Sequence, residues 1–310
     1  MPEPLVLGID LGGTNIKVGL VAPDGSRVDH AIGTTPLVRD FEGVVAAMAN
    51  TARQFLARHP EVELSGVGVA APGVVDLAGE RVVRAPNFPL WRGVPLRRAM
   101  EEALGRKCVM GNDVDLFGMA EHRWGAAQGL RNFVAVAVGT GVGGAIFIDG
   151  KLFRGSEGGA AELGFTIISP DGPEVLGVEG CIEGYVGRRG FDEIVLKLYP
   201  SGEVPTPRRI TELAIAGDER AQRVQSVIAE YLASAAASWL HILNPEAIVL
   251  GGGTLANATF LIKEFERHLH QRALKTHTAN LKILPSKLGY FAGVHGAAAL
   301  WISEGMTNKG

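Results

Sequence analysis

Short apolar runs broken by glycine-rich turns dominate the first part of the chain. Leu5–Ile9 and Ile16–Val21 are two such runs, rich in β-branched residues and bounded by Gly, which predicts buried strands and not a helix. A third strand is expected near Arg27–Gly33. Over about Asp40–Arg58 the period changes, with Val44, Val45, Met48, Ala52, Phe55 and Leu56 recurring at helical spacing. Ser65–Ala71 returns to a buried strand. Val94–Leu104 reads as a short amphipathic helix, Lys107–Met110 as a strand and Val114–Trp124 as a helix. Ala85-Pro86-Asn87-Phe88-Pro89-Leu90-Trp91 is expected to be a rigid loop, because its prolines restrict themselves and the residues before them.

The opening theme returns after Asn132. Phe133–Val138, a turn over Gly139-Thr140-Gly141-Val142-Gly143-Gly144, and Ala145–Ile148 again read as strand, turn, strand. Both hairpins close on Asp-Gly, at Asp24-Gly25 and Asp149-Gly150. This weak repeat predicts a duplicated domain with a phosphate turn on each side of a cleft. Gly155–Tyr185 is Gly-rich and acidic, and Pro200–Pro207 is expected to be a surface loop. Asp218–Leu243 reads as a long helix whose core stripe is Val224, Val227, Ile228, Tyr231, Leu232, Ala235, Trp239 and Leu243, stopped by Asn244-Pro245. Ala247–Leu250 is a strand leading into Gly251-Gly252-Gly253-Thr254, and a helix follows over about Phe260–Ala273. Gly293–Ile302 is small and apolar enough to pack closely on a sheet.

Composition narrows the classes. At 310 residues, 46% hydrophobic and 20% charged, the chain has ample material for one large or two medium domains. A formal net charge of -3 argues against binding nucleic acid by phosphate neutralisation. No apolar run approaches the roughly 20 residues that span a bilayer, and no signal-peptide pattern opens the chain. Cys108 and Cys181 make no disulfide framework. The expectation is a soluble cytoplasmic protein without a nucleic-acid or membrane partner. The eight histidines show no ligand spacing and are expected at the surface.

Candidate chemistry sits in the turns. The first carries Asp10, Gly12, Gly13, Thr14 and Lys17; paired glycines let backbone N–H groups approach an anion. Asp10, at the end of a buried strand, is costly to hide unless it meets a metal, a cation or hydrogen-bond donors. A turn for a Mg-nucleotide phosphate and an ordinary Gly-rich hairpin both fit. Gly139, Gly141 and Gly144 spell G-x-G-x-x-G, but the residues after them are strand-like, so the dinucleotide reading is rejected. In Gly111-Asn112-Asp113, Asp113 is either an acid–base group or a helix N-cap. Taken singly, Glu162 and Glu183 read as solvated carboxylates and Asn87 as a turn residue.

Together these pieces resemble the ROK family of sugar kinases and repressors, within the actin-like, ribonuclease-H-like ATPase superfamily. The resemblance spans essentially the whole chain. It rests on Asp10-x-Gly12-Gly13-Thr14, Pro72-Gly73-x-Val75-Asp76, Asn87 with Trp91, Gly111-Asn112-Asp113 and Gly139-Thr140-Gly141-x-Gly143-Gly144. Farther along it rests on Gly155-x-x-Gly158 leading to Glu162-Leu163-Gly164, Gly180-Cys181-x-Glu183 and Leu250-Gly251-Gly252-Gly253. The resemblance implies an α/β fold of two similar domains around a cleft. The smaller would hold residues 1–112 with about 294–310, the larger residues 113–293. The repressor branch carries an N-terminal helix-turn-helix, and this chain opens on its first strand, so the kinase branch is expected.

Carried over by position, the resemblance makes Asp113 the general base toward a sugar hydroxyl. Gly73, Asn87, Asn112, Glu162 and Glu183 would hold the sugar. Asp10, Gly12, Gly13, Thr14 and Lys17 would handle Mg2+ and phosphate, Thr140 and Gly141 would meet the phosphates from the other side, and Gly252 and Gly253 would lie against the nucleoside. The implied reaction is ATP- and Mg-dependent phosphorylation of a hexose, glucose to glucose 6-phosphate first. Fructose, mannose, an N-acetylhexosamine, or a non-catalytic sugar-sensing regulator are the alternatives. The family also suggests a homodimer or homotetramer. It commonly holds a structural zinc, but at the positions of its ligands this chain has Phe165, Glu174, Leu176 and Cys181. No structural zinc is therefore expected, with Phe165, Leu176, Val175 and Val178 forming an apolar cluster in its place.

Overall fold

The computed structural model describes residues 4–200 and 204–307. The chain divides into two compact units, Met1–Gln128 with Leu152–Ala160 and Tyr290–Gly310, and Gly129–Lys151 with Ala161–Gly289.

The first unit is built on β1 (Leu5–Leu11), β2 (Asn15–Val21), β3 (Arg27–Thr34), β4 (Leu64–Ala71) and β8 (Cys108–Asn112), in the order β3-β2-β1-β4-β8. β2 runs antiparallel to β1, and β4 and β8 run parallel to it. β1 and β4 are buried along nearly their whole length, as expected of strands covered on both faces. One face packs against helix α1 (Phe41–Leu56), whose Val44, Met48, Ala52 and Phe55 are buried with Leu7, Ile9 and Val69. The C-terminal helix, Ala292–Thr307, lies on the sheet in backbone contact. A Cβ on Gly8 would stand 2.2 Å from the Val294 carbonyl oxygen, and one on Gly68 would stand 1.9 Å from that of Ala297. A small side sheet of β5 (Val74–Val75), β6 (Val82–Arg84) and β7 (Arg92–Val94) carries the Pro-rich loop between its last two strands. Helix α2 (Leu96–Leu104) and helix α3 (Asp113–Trp124) complete the unit.

The second unit repeats the plan. β9 (Phe133–Val138), β10 (Val142–Ile148), β11 (Lys151–Leu152), β14 (Ala247–Gly251) and β15 (Lys282–Pro285) lie in the order β11-β10-β9-β14-β15. β10 is antiparallel to β9, while β14 and β15 are parallel to it, as in the first sheet. A two-residue-per-strand ribbon, β12 (Glu174–Val175) and β13 (Val178–Glu179), precedes helix α4 (Ile182–Val186) and helix α5 (Arg188–Leu198). Helices α6 (Pro207–Ile215), α7 (Glu219–Leu243), α8 (Thr259–Arg272) and α9 (Lys275–Thr278) follow. Asp218 caps α7 by accepting from the Ala221 N–H, and Asn244 ends it in a left-handed conformation. By length and composition α7 is apolar enough to cross a membrane, yet Val224, Ile228, Leu232, Ala235 and Trp239 are buried in this unit's core with Leu261 and Phe265 of α8. Val227, Tyr231 and Leu243 of the expected stripe are half-buried.

Several expectations are revised. β8 runs to Asn112, so Gly111 and Asn112 are strand and not turn. β10 starts at Val142, inside the expected glycine turn. His268 and His295 are buried, not superficial; Nδ1 of His295 lies 2.9 Å from the Phe291 carbonyl oxygen. The division between units falls elsewhere than at residues 112 and 113. α3 stays with the first unit because Leu116 packs with Ala297 of the C-terminal helix. Of the loop expected over Pro200–Pro207, residues 201–203 lie outside the described residues, and Pro207 already opens α6.

Candidate active site

In the first unit, strand ends and loops gather the residues from Asp10 to Asp113. Asp10 faces Lys17 across the β1–β2 register, with Lys17 Nζ 2.8 Å from Asp10 Oδ2. The same ammonium sits 4.3 Å from the centre of the Tyr290 ring, whose hydroxyl accepts from Asn15 Nδ2 at 3.2 Å. The buried carboxylate thus has a cation partner, one of the three conditions that made hiding it tolerable. The turn itself is closed by the Gly12 N–H donating to the Asn15 carbonyl at 2.9 Å. A Cβ on Gly13 would stand 3.7 Å from Asn87 Nδ2, so the Pro-rich loop lies against the Gly12-Gly13 turn.

Asn112, not Asp113, is the cap of α3. Its Oδ1 accepts from the Val114 and Asp115 N–H groups at 2.8 and 2.9 Å. Its Nδ2 donates to the Gly73 carbonyl at 2.8 Å and to Asp113 Oδ1 at 3.1 Å. One amide side chain therefore ties the Gly73 loop, the helix start and the candidate base together. Gly73 has φ +80°, and a Cβ there would stand 2.2 Å from the Arg84 carbonyl oxygen, so only glycine fits. Asp113 retains some surface, but desolvation of its carboxyl and then the nearby charge of Asp10 push its pKa up to about 7.

Arg154, from the segment that leaves β11, was not singled out by sequence. It donates to the carbonyls of Val75, Asp76 and Leu77 at 2.9, 3.0 and 3.1 Å, and its Nε lies 3.8 Å from Asp115 of α3. Its place one residue before the Gly155-x-x-Gly158 motif was the one available signal.

The second unit gathers Thr140, Gly141, Glu162, Glu183, Gly252 and Gly253. Glu183 Oε2 accepts from the Val142 N–H at 2.7 Å, and a Cβ on Gly141 would stand 2.4 Å from that oxygen. Thr140 is exposed, and its carbonyl accepts from the Arg188 N–H at the start of α5 at 2.9 Å. Glu162 follows Ala161, which adopts φ +64°, a left-handed conformation rarely taken by alanine. Desolvation and then the charge of Glu183 hold the Glu162 carboxyl above its usual range. Desolvation likewise raises Glu183, opposed by the bond from Val142. The carboxyl oxygens of Glu162 and Glu183 can accept hydrogen bonds from neutral hydroxyls. Gly252, at φ +90°, lies against Val138, and Gly253 beside it has no atom within 4 Å of where a Cβ would stand.

The expected apolar cluster around Phe165 is not formed as a whole. Leu176 sits at the tip of the β12–β13 ribbon and is 51% exposed, while Phe165, Val175 and Val178 are half-buried. Polar bonds hold this region instead. Trp239 Nε1 donates to Thr166 Oγ1 at 2.8 Å, the Ile182 N–H donates to the Thr166 carbonyl at 2.9 Å, and Tyr185 stacks obliquely on Tyr231. Phe165 and Leu176 bring no donor atoms, so these positions do not fit a four-ligand zinc. Among the described residues no group of three or more His, Cys, Asp or Glu is placed to hold a metal ion.

The model of the ROK family matches residues 6–304. The chain belongs to the ROK family. A glucokinase of Thermotoga maritima is 31% identical over 97% of this chain and 98% of its own. An N-acetyl-D-glucosamine kinase of Photobacterium profundum is 30% identical over 96% of this chain and 99% of its own. Among solved structures, a ROK family glucokinase from Streptomyces griseus in complex with glucose and AMPPNP matches with a TM-score of 0.87 at 28% identity, covering 96% of this chain and 98% of that one. The fold is that of the actin-like, ribonuclease-H-like ATPases, with two α/β domains, and the ROK chain here lacks the family's usual zinc motif.

Proposed function

We propose that this ROK protein transfers the γ-phosphoryl group of ATP to the 6-hydroxyl of glucose. Its class, an ATP-dependent sugar kinase, follows from family membership and from glucokinase relatives over nearly the full chain. Asp113 is the observation that carries the mechanism: a carboxylate at the start of α3, held near neutral pKa and oriented by Asn112. A base titrating near pH 7 takes the hydroxyl proton as the sugar oxygen attacks the γ-phosphorus in line, and ADP leaves; such a base contributes about 10²–10⁴-fold. Phosphoryl transfer otherwise needs positioning and charge neutralisation. Asn87, the backbone at Gly73, Glu162 and Glu183 are assigned to the sugar hydroxyls, while Asn112 acts through Asp113 and Gly73.

Asp10 would hold Mg2+, which neutralises phosphate charge when bound; a buried carboxylate beside a phosphate turn is a fitting oxygen donor. Lys17, Gly12, Gly13, Thr14, Thr140 and Gly141 are assigned to the phosphates, and Gly252 with Gly253, which has no atom within 4 Å of where a Cβ would stand, to the nucleoside. Expected on this reading is ADP release coupled to glucose at the highest kcat/KM in a panel with fructose, mannose and N-acetylglucosamine, and 6-phosphate as the product by NMR. A higher kcat/KM for N-acetylglucosamine would reassign the acceptor.

A further inference from the structure

Arg39 stands outside every residue assigned above, yet it joins two of the site's parts. Its Nη2 donates to the carbonyl of Gly13 at 2.8 Å, 26 residues earlier, and its Nη1 donates to the carbonyl of Asn87, 48 residues later. The guanidinium also lies 5.4 Å from the ring centre of Phe88, which is fully buried. Thr35 supports the same turn from the other end of this loop. Its hydroxyl donates to the Gly12 carbonyl at 2.8 Å, and its N–H to the Thr14 carbonyl at 2.9 Å. The carbonyls of Gly12, Gly13 and Thr14 are thus all engaged from one loop, and Arg39 alone extends that support to the Pro-rich loop.

We propose that Arg39 is a positioning residue that locks the sugar-holding Asn87 loop to the phosphate turn, so that acceptor and donor are held in register. This rests on the kinase reading for what the two loops bind. Physical reasons favour arginine in the role. A planar guanidinium presents two parallel donors to two separate carbonyls, whereas a lysine ammonium at that position serves as a single point charge. The bonds are charge-assisted and partly shielded, so they hold the loops more firmly than neutral contacts would. Misplacing reacting groups by about 1 Å costs on the order of 10²-fold in rate, which sets the size of the effect.

The test uses the full chain as wild type, Arg39→Met, Arg39→Lys and Thr35→Val. Peptide-level hydrogen exchange is followed with and without glucose and Mg-AMPPNP, alongside steady-state kinetics. Arg39→Met should lose protection both around residues 12–14 and around residues 85–88, and its kcat should fall about 10²-fold. Its melting temperature should stay close to that of wild type. Arg39→Lys keeps the charge but not the two hydrogen bonds to separate carbonyls, and should fall between the two; it serves alone if the Met variant does not fold. Thr35→Val should lose protection around residues 12–14 only. Unchanged exchange around residues 85–88 in both Arg39 variants, or full activity in Arg39→Lys, would overturn the proposal. Absence of wild-type turnover with every hexose overturns the kinase reading instead, and the exchange measurements still decide the role of Arg39.

Discussion

The carboxyl of Asp113 sets a testable pH behaviour. Desolvation and the Asp10 charge raise it to about 7 from an unfolded value near 3.8. On the proposed reading the ionised form is the base, so kcat/KM should rise with pH and level off above about 7. Asp113→Asn cannot take the proton, and should lower kcat by about 10² or more while glucose still raises the melting temperature. For stability the sign runs the other way. Between about pH 4 and 7 the folded state keeps a proton that the unfolded state has lost, so this group's contribution is full below about pH 4 and disappears as pH rises through about 7. Relative to wild type, Asp113→Asn should therefore melt higher at pH 8 than at pH 5. A flat difference between those two pH values would show that the carboxyl is not titrating there. Asp10 belongs to the same scale. Asp10→Ala should abolish turnover and leave glucose-induced stabilisation in place, because its assigned partner is Mg-phosphate; loss of glucose binding with nucleotide binding intact would reverse that assignment.

At the level of elements, the C-terminal helix is the strongest constraint on the first sheet. Gly8 and Gly68 lie under Val294 and Ala297 so closely that no side chain fits between sheet and helix. Gly68→Ala should destabilise the protein by at least about 1–3 kcal/mol, since overpacking forces backbone shifts; urea denaturation read by tryptophan fluorescence measures it. The expected size and apolarity of Gly293–Ile302 announced this close approach, but only the register shows which glycines receive it. The Gly155–Tyr185 region is the counter-example. Phe165, Leu176, Val175 and Val178 there were expected to form an apolar cluster, whereas Trp239 and Tyr231 of α7 brace the region through Thr166 and Tyr185. Trp239→Phe removes the donor to Thr166 and part of a buried ring, and should lower stability by more than the cost of one buried hydrogen bond, roughly 1 kcal/mol.

Over the whole molecule, two units repeat one strand plan, with antiparallel hairpin and parallel neighbours in matching order. The internal repeat was legible because both hairpins carry the same apolar–glycine–apolar pattern and end in Asp-Gly. Dialysis against a chelator should leave melting temperature unchanged in the absence of nucleotide, because the positions of the family's zinc ligands hold Phe165 and Leu176. A tightly held zinc per chain, lost in Cys181→Ser, would contradict this. Glucose and Mg-AMPPNP should each raise the melting temperature, by an amount that grows with ligand concentration over Kd.

What the sequence determined by itself was everything set by local chemistry. Periodicity of 2 or 3.6, the stop at Asn244-Pro245 and glycines at turns located the main strands of both sheets and helices α1, α2, α3, α7 and α8, while the short strands of the side sheet and the ribbon and helices α4, α5, α6 and α9 went unread. The order of motifs made the ROK resemblance visible, and with it the candidate residues. Tertiary structure decided what depends on distant partners. Whether Asn112 or Asp113 caps α3 turns on which side chain reaches two backbone N–H groups, and how far Asp113 is raised turns first on its desolvation in the packed chain and then on Asp10, more than 100 residues away in sequence. That His268 and His295 are buried, that α3 stays with the C-terminal helix, and that Arg39 spans Gly13 and Asn87 follow from chain packing, which no window of neighbouring residues encodes.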